Sequence, residues 1–380
     1  MSTAAVRLPI TNVHADGDYT GLIRIGSQKT DLNVLLDTGS GTLAIDGTVY
    51  NVKKDKSGMT TQLAQDVEYV DNTGWIGGVV MTDVTVGSRP ITLKKVAVAV
   101  SYHETKNIFG NAHGILGLAY KGVNKAFTMP GPTIPPRFTF NQIQAGRVTY
   151  LEPYFTQLEE AGCVANKFAF YTKRSEISRA TAKPAEDPLN QGFLILGGGE
   201  EQKDLYTGKF QVARVVHDFF YNTNLKSIIV GDAAPISVSP PTKASRNPSN
   251  SIIDSGTNRI LLDQALFDAL TAKLSSAADD TLSDAIQARQ IPMSRLDLAS
   301  WPTITFVLEG ALGSDVELRV SPETYWQTNA PKRGLAKATI LTGAPTGQCI
   351  LGLPLLNNYY TVFDRSMSKG VGVVSFAKIK

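Results

Sequence analysis

The sequence predicts a mainly β protein built as two similar, β-barrel-like lobes around a central cleft. Three observations carry that reading. Short apolar or alternating runs dominate the chain, broken by Gly, Asp, Asn and Pro, as strands between frequent turns are. One motif is written twice, as Val34-Leu35-Leu36-Asp37-Thr38-Gly39-Ser40 and as Ser251-Ile252-Ile253-Asp254-Ser255-Gly256-Thr257. The length of 380 residues exceeds what one compact core holds, so two domains are expected.

Taken in order, residues 21–26 read as a strand that leads towards the first acid motif. Residues 79–87 read as a second strand. His113-Gly114-Ile115-Leu116-Gly117-Leu118 is apolar enough to be buried, and its glycines let another backbone approach closely. Met129–Phe138 is a proline-rich loop, and Tyr150–Ala161 has helical periodicity. A second proline-rich loop, Ser237–Asn250, runs into the second acid motif. Gln264–Leu274 and Leu282–Ala288 are helix candidates, and residues 303–308 form another strand. Cys349-Ile350-Leu351-Gly352-Leu353 then repeats the Ile-Leu-Gly triplet. That triplet is common by itself, but here it follows each acid in the same order. Two long copies of one plan imply two lobes rather than a short-period repeat.

Composition removes several function classes. Hydrophobic residues make up 42% of the chain and charged residues 19%, the balance of an ordinary globular protein. No unbroken apolar run reaches membrane-spanning length, so no membrane association is expected. Net charge is +3, and the one dense basic patch, Lys53-Lys54-Asp55-Lys56, reads as a solvated loop rather than a nucleic-acid site. The start at Met1 lacks an apolar signal core. Either the protein stays inside, or a leader and propeptide are removed. Cys163 and Cys349 are too few for a zinc site. A disulfide between them and two buried free thiols both remain open. His14, His103, His113 and His217 are scattered, and neither His-Glu-x-x-His nor Gly-x-Ser-x-Gly occurs. A Cys163–His113 nucleophile pair is rejected. Gly197-Gly198-Gly199 lacks the Lys that follows in a phosphate loop and reads as a tight turn. No Asn-x-Ser/Thr acceptor occurs, so glycosylation gives no argument for secretion.

The acids carry the chemistry. A carboxylate straight after an apolar strand costs several kcal/mol unless something satisfies it. Two such acids are best explained if each answers the other. Facing across a pseudo-twofold axis, Asp37 and Asp254 would share one proton, since both cannot easily ionise. The ionised member takes a proton from a water and the neutral one gives a proton to a peptide carbonyl. Thr38 and Ser255 supply hydroxyls that can bond to the opposite lobe. Gly39 and Gly256 allow a sharp turn that aims backbone N–H groups at the carboxylates. Ser40 and Thr257 can fix the outer carboxylate oxygens. A single Asp-Thr-Gly turn is a common strand cap. Two, each behind an apolar run, are far rarer.

With these residues in place, the chain resembles the pepsin-like aspartic proteases, of the fungal type with some memapsin-like features. The resemblance runs from about Tyr19 to the C-terminus. It rests on both acid motifs, on Gly114–Ala119, on Leu194-Ile195-Leu196-Gly197-Gly198 with Tyr206-Thr207-Gly208, and on Tyr359–Arg365. It implies residues 1–195 as a first lobe with Asp37 and a flap, and 196–380 as a second lobe with Asp254. It implies an acid endopeptidase that holds an extended protein or peptide substrate by strand addition, and inhibition by pepstatin-type compounds. It also implies a monomer, made as a zymogen and secreted or vacuolar, with no metal or organic cofactor.

The flap is the looser match. Residues 67–78 occupy its interval and Tyr69 stands for the family's flap tyrosine. Val70-Asp71-Asn72 replaces the usual Gly-containing tip, and Ala44 replaces the tryptophan that normally supports the tyrosine. Trp75 can take over that partnership, as in the memapsin-like branch, or simply cover the sheet. Tyr69, Trp75, Phe109 and Ile115 are the expected apolar lining, favouring large apolar residues beside the scissile bond. The competing reading is a catalytically silent peptide-binding or inhibitor protein on the same fold. Both acids and both glycines are intact, which favours the enzyme.

Overall fold

A computed structural model describes residues 5–69, 73–105, 108–241, 249–277 and 280–380. Strands dominate it, and one sheet of 15 strands runs through the described residues. Val6–Ala15 pairs antiparallel with Gln191–Leu196, which pairs with Lys167–Tyr171. Lys167–Tyr171 then pairs with Tyr359–Asp364, beside Val373–Ile379 and Tyr206–Arg214. The two ends of the chain therefore share one hydrogen-bonded platform. Strands from 18–150 continue the sheet on one side, and three smaller sheets lie within 217–351. This is a mainly β, bilobal, pepsin-like architecture.

Aromatic rings weld the halves together. Phe168 stacks on Phe363 at 5.0 Å between centroids, and Tyr221 meets Phe363 edge-on at 4.6 Å. The Tyr221 hydroxyl donates to the Leu118 carbonyl at 2.9 Å. The guanidinium of Arg365 lies over the rings of Tyr120 and Phe155. Residues far apart in sequence thus fix the angle between the walls of the cleft.

The expected strands are present, at Asp18–Ile25, Gly74–Val86, Gly114–Gly117, Ile304–Leu308 and Cys349–Leu351. Helices occupy Gln264–Ala277 and Asp280–Ala288, as periodicity indicates. The helix expected over Tyr150–Ala161 is shorter, Tyr154–Glu160. Its start is set by Pro153 at the cap, and Arg147–Tyr150 is a strand paired with Lys125–Thr128. Half of the loop expected at Ser237–Asn250, residues 242–248, lies outside the described residues, as do the flap tip Val70–Asn72 and the start at residues 1–4. Cys163 and Cys349 are both free thiols, the first half-buried and the second buried. Among the described residues no helix is long and apolar enough to cross a membrane.

Candidate active site

The two copies of the acid motif fold alike because each is trapped by its Ile-Leu-Gly companion. The strand Thr30–Asp37 runs parallel to Gly114–Gly117, with Leu35 opposite Ile115 and Asp37 opposite Gly117. Leu43–Asp46 pairs with the other edge of Gly114–Gly117, so residues 38–42 must loop around it. The second copy repeats this: Ser251–Ile253 lies parallel to Cys349–Leu351, and Ile260–Leu262 flanks the other edge antiparallel. The crossing is tight. A β-carbon on Gly117 would stand 2.4 Å from the Thr42 nitrogen, and one on Gly352 would stand 2.2 Å from the Thr257 carbonyl oxygen. Only glycine fits there.

The loops meet tip to tip. Thr38 Oγ1 donates to the Ile253 carbonyl at 2.9 Å and accepts from the Ser255 N–H at 2.9 Å. Ser255 Oγ mirrors it, donating to the Leu36 carbonyl at 2.8 Å and accepting from the Thr38 N–H at 3.1 Å. Four hydrogen bonds between buried groups hold the acids in register across the lobes.

Each carboxylate is anchored by its own turn. Asp37 Oδ1 accepts from the Gly39 N–H at 2.7 Å, and Asp254 Oδ1 from the Gly256 N–H at 2.9 Å. Asp254 Oδ2 also accepts from Thr257 Oγ1 at 2.7 Å. The halves differ at this point. Ser40 Oγ is buried close enough to Asp37 to lower its proton affinity, but it makes no hydrogen bond of regular geometry, unlike Thr257. Burial pushes the Asp37 carboxyl well above the usual carboxylate range, and the adjacent Asp254 charge adds to this. The nearby Ser40 hydroxyl and Gly39 N–H oppose the shift without cancelling it. Two facing carboxyl groups, one of them buried and raised in proton affinity by the other, is the arrangement these causes describe.

Asp37 and Asp254 line one cleft of about 610 Å³, with Gly39, Gly256 and Thr257 on its floor. Tyr69, Phe109 and Ile115 line its first-lobe wall. Tyr69 closes the hairpin of Met59–Glu68 and Gly74–Val86, its N–H donating to the Thr73 carbonyl at 2.7 Å. Trp75 is a correction: it does not line the cleft but stands behind the wall, 2% exposed. There it packs with Leu35, Ala44, Ala99, Phe109 and Ile115, in the space that small alanine side chains leave. Its indole Nε1 donates to the Tyr69 hydroxyl at 3.4 Å.

Sequence reasoning missed the second-lobe wall, which includes Phe220, Asn222, Leu261, Gln348 and Ile350. Scattered single residues leave no motif. It also missed Asp18 and Arg259, at the same cleft. The Asp16-Gly17 hairpin signal and the second acid motif stand directly beside them.

A cleft floored by two facing acids, each carried by one copy of the same glycine-locked loop, defines a pepsin-like aspartic protease. Comparison agrees with the geometry. The model of the eukaryotic aspartyl protease family matches residues 18–378, and the chain belongs to that family of peptide-bond hydrolases. It is similar to pepsin B of Canis lupus familiaris, 24% identical over 95% of this chain and 82% of that protein. Cathepsin D of Chionodraco hamatus is 24% identical over 97% of this chain and 82% of its own length. Beta-secretase of Strongylocentrotus purpuratus is 25% identical over 92% of this chain, which spans 65% of that protein.

Proposed function

We propose that this chain is an acid endopeptidase in which Asp37 and Asp254 share one proton and activate a water between them. The observation that carries the reading is the Asp37 carboxyl. It is buried, held against Asp254, and raised in proton affinity by both. One member of the pair accepts a proton from water as the other donates to the peptide carbonyl, with no covalent intermediate. Tyr69 caps an extended substrate, and Phe109 and Ile115 favour large apolar residues at the scissile bond. The lobes divide near 195/196, within the shared strand Gln191–Leu196. The same reading makes the protein a secreted or vacuolar monomer, produced as a zymogen and inhibited by pepstatin-type compounds.

The test is hydrolysis of casein or haemoglobin between about pH 3 and 6, with and without pepstatin, for the wild type and Asp37→Asn. No hydrolysis by the wild type at any pH sinks the enzyme reading in favour of a silent peptide binder. Hydrolysis that survives Asp37→Asn sinks the assignment of the pair.

A further inference from the structure

We propose that Gln65 is a positioning residue for substrate capture: through Asn124 it ties the base of the flap hairpin to the loop that follows Asp37, and so sets Tyr69 over the acids. This rests on the peptidase reading above. Gln65 lies on the strand Met59–Glu68, shortly before Tyr69, and pairs with Gly77 across the hairpin. Successive side chains of a strand point to opposite faces. Ala64 joins the apolar cluster of Ile76, Phe127, Met129 and Ile143 on one face. Gln65 turns to the other, where it is 1% exposed. An amide buried that deeply requires hydrogen-bond partners.

Gln65 Nε2 donates to Asn124 Oδ1 at 2.8 Å and to the Lys125 carbonyl at 2.9 Å, with Thr42 Oγ1 at 3.3 Å. Thr42 Oγ1 donates to the same Asn124 Oδ1 at 2.9 Å. One buried oxygen thus receives a donor from the flap strand and a donor from the acid loop. Thr42 ends that loop, and its carbonyl accepts from the Gly117 N–H at 2.8 Å. With the loop pinned there, a shift of the flap base relative to Asp37 breaks the Gln65 bonds. Two other anchors of the strand lead elsewhere: Thr133 Oγ1 donates to the Leu63 carbonyl at 2.7 Å, and Gln144 Nε2 to Asp66 Oδ2 at 2.8 Å. Packing alone does not call for a polar cluster, since an apolar side chain of similar volume fills the same space. What the cluster supplies is register between two elements. A Tyr69 set in place before the peptide arrives lowers the entropy lost on binding.

The experiment follows cleavage of one peptide with an apolar scissile pair by the wild type, Gln65→Met, Gln65→Glu and Gln144→Leu, with melting curves to show that each is folded. Gln65→Met keeps length and burial but removes the donors. It should raise KM about 5- to 30-fold while kcat changes by less than about 2-fold. Gln144→Leu cuts a different anchor of the same strand and should leave KM within about 2-fold of the wild type. Gln65→Glu gives a readout that a general loss of stability would not move. As a neutral acid its O–H donates to Asn124 Oδ1; as a carboxylate it faces that oxygen and the Lys125 carbonyl, both acceptors. The charged groups on the elements packed against it are Asp37, Asp66, Glu68, Asp83, Lys121 and Lys125. Asp66 is bonded to Gln144, Lys121 to Glu152, and the Lys125 ammonium lies over Phe127. Titration of Asp37 is common to all the proteins and cancels in a ratio to the wild type. That KM ratio for Gln65→Glu should stay within about 3-fold at about pH 3.5 and reach about 10-fold by about pH 6. A wild-type KM in Gln65→Met overturns the proposal. So does an equal rise in Gln144→Leu, or a Gln65→Glu ratio that does not change with pH. If the wild type cleaves nothing, the peptidase reading fails by itself. The same proteins are then compared for binding of an uncleavable reduced-amide peptide by fluorescence polarisation. There, weaker binding by Gln65→Met alone supports the positioning role, and equal affinity or no binding overturns it.

Discussion

Gly256 lies directly against the carboxylate of Asp37: a β-carbon there would stand 2.3 Å from Oδ1 and 2.6 Å from Cγ. The relation is mirrored, since a β-carbon on Gly39 would stand 2.7 Å from Asp254 Oδ1. The glycine of each lobe is therefore a wall of the other lobe's acid. Gly256→Ala must push Asp37 away from its partner. We expect kcat to fall about 100-fold, the size of effect that a displacement near 1 Å produces. Gly131→Ala has nothing within 4 Å to meet and serves as the control. Steady-state kinetics on both variants, with melting curves, checks this; equal kcat values would refute it.

The acid pair also ties stability to pH. Burial, then the neighbouring Asp254 charge, raises the Asp37 carboxyl well above its ordinary value of 3.8, and burial raises Asp18 likewise. The folded chain keeps these protons at a pH where the unfolded chain has released them. The folded state then binds more protons, so stability falls as pH rises from about 4 through the folded values. Melting temperature should decline between pH 4 and 7, and Asp37→Asn should flatten that decline. A slope unchanged by the substitution would count against the shared proton.

Asp55 works in the opposite direction. Burial alone would raise its pKa, but bonds from the Ser27 N–H, Thr82 and Tyr50 hydroxyls, and Ser57 outweigh it and hold the carboxyl well below the usual range. Its stabilisation is present above about pH 4 and disappears only as pH falls through the depressed folded value. Asp55→Ala strands several buried donors and should cost about 3 kcal/mol. Urea unfolding at pH 6 measures it, and a loss under about 0.5 kcal/mol would show that the network is dispensable.

Trp75 supports Tyr69 by both volume and a hydrogen bond, and two substitutions separate these. Trp75→Phe keeps most of the packing and removes the Nε1 donor, so kcat/KM should drop by about 3- to 10-fold with little change in melting temperature. Trp75→Ala opens a cavity beside Ala44 and Leu35 and should cost about 3 to 5 kcal/mol of stability. If Trp75→Phe matches the wild type in kcat/KM, the bond to Tyr69 plays no part in the flap.

The acids are legible in the sequence because each signal is local: an apolar strand, an acid, a small hydroxyl residue and a glycine within seven positions. Phe109 and Ile115 are legible through the Ile-Leu-Gly segment close by. Trp75 is legible as a partner of Tyr69 but not as a buried one. Its depth depends on the room left by Ala44, Ala99 and Ala112, which lie far from it in sequence. Ser40 and Thr257 differ for a similar reason. Ser40 has the same spacing from Asp37 as Thr257 from Asp254 and acts on its acid from nearby, but only Thr257 makes a bond of regular geometry.

The sequence by itself determined the strand-rich class, the duplication and the two acids, since alternation, turn residues and motif repeats act over a few neighbouring residues. The tertiary structure alone decided what those acids meet. The cross-lobe bonds of Thr38 and Ser255 join residues 217 positions apart. Asp18 comes to the same cleft from the first lobe and Arg259 from the second. Proton affinity and substrate fit depend on burial and on charges a few ångströms away, and folding sets both by joining distant parts of the chain.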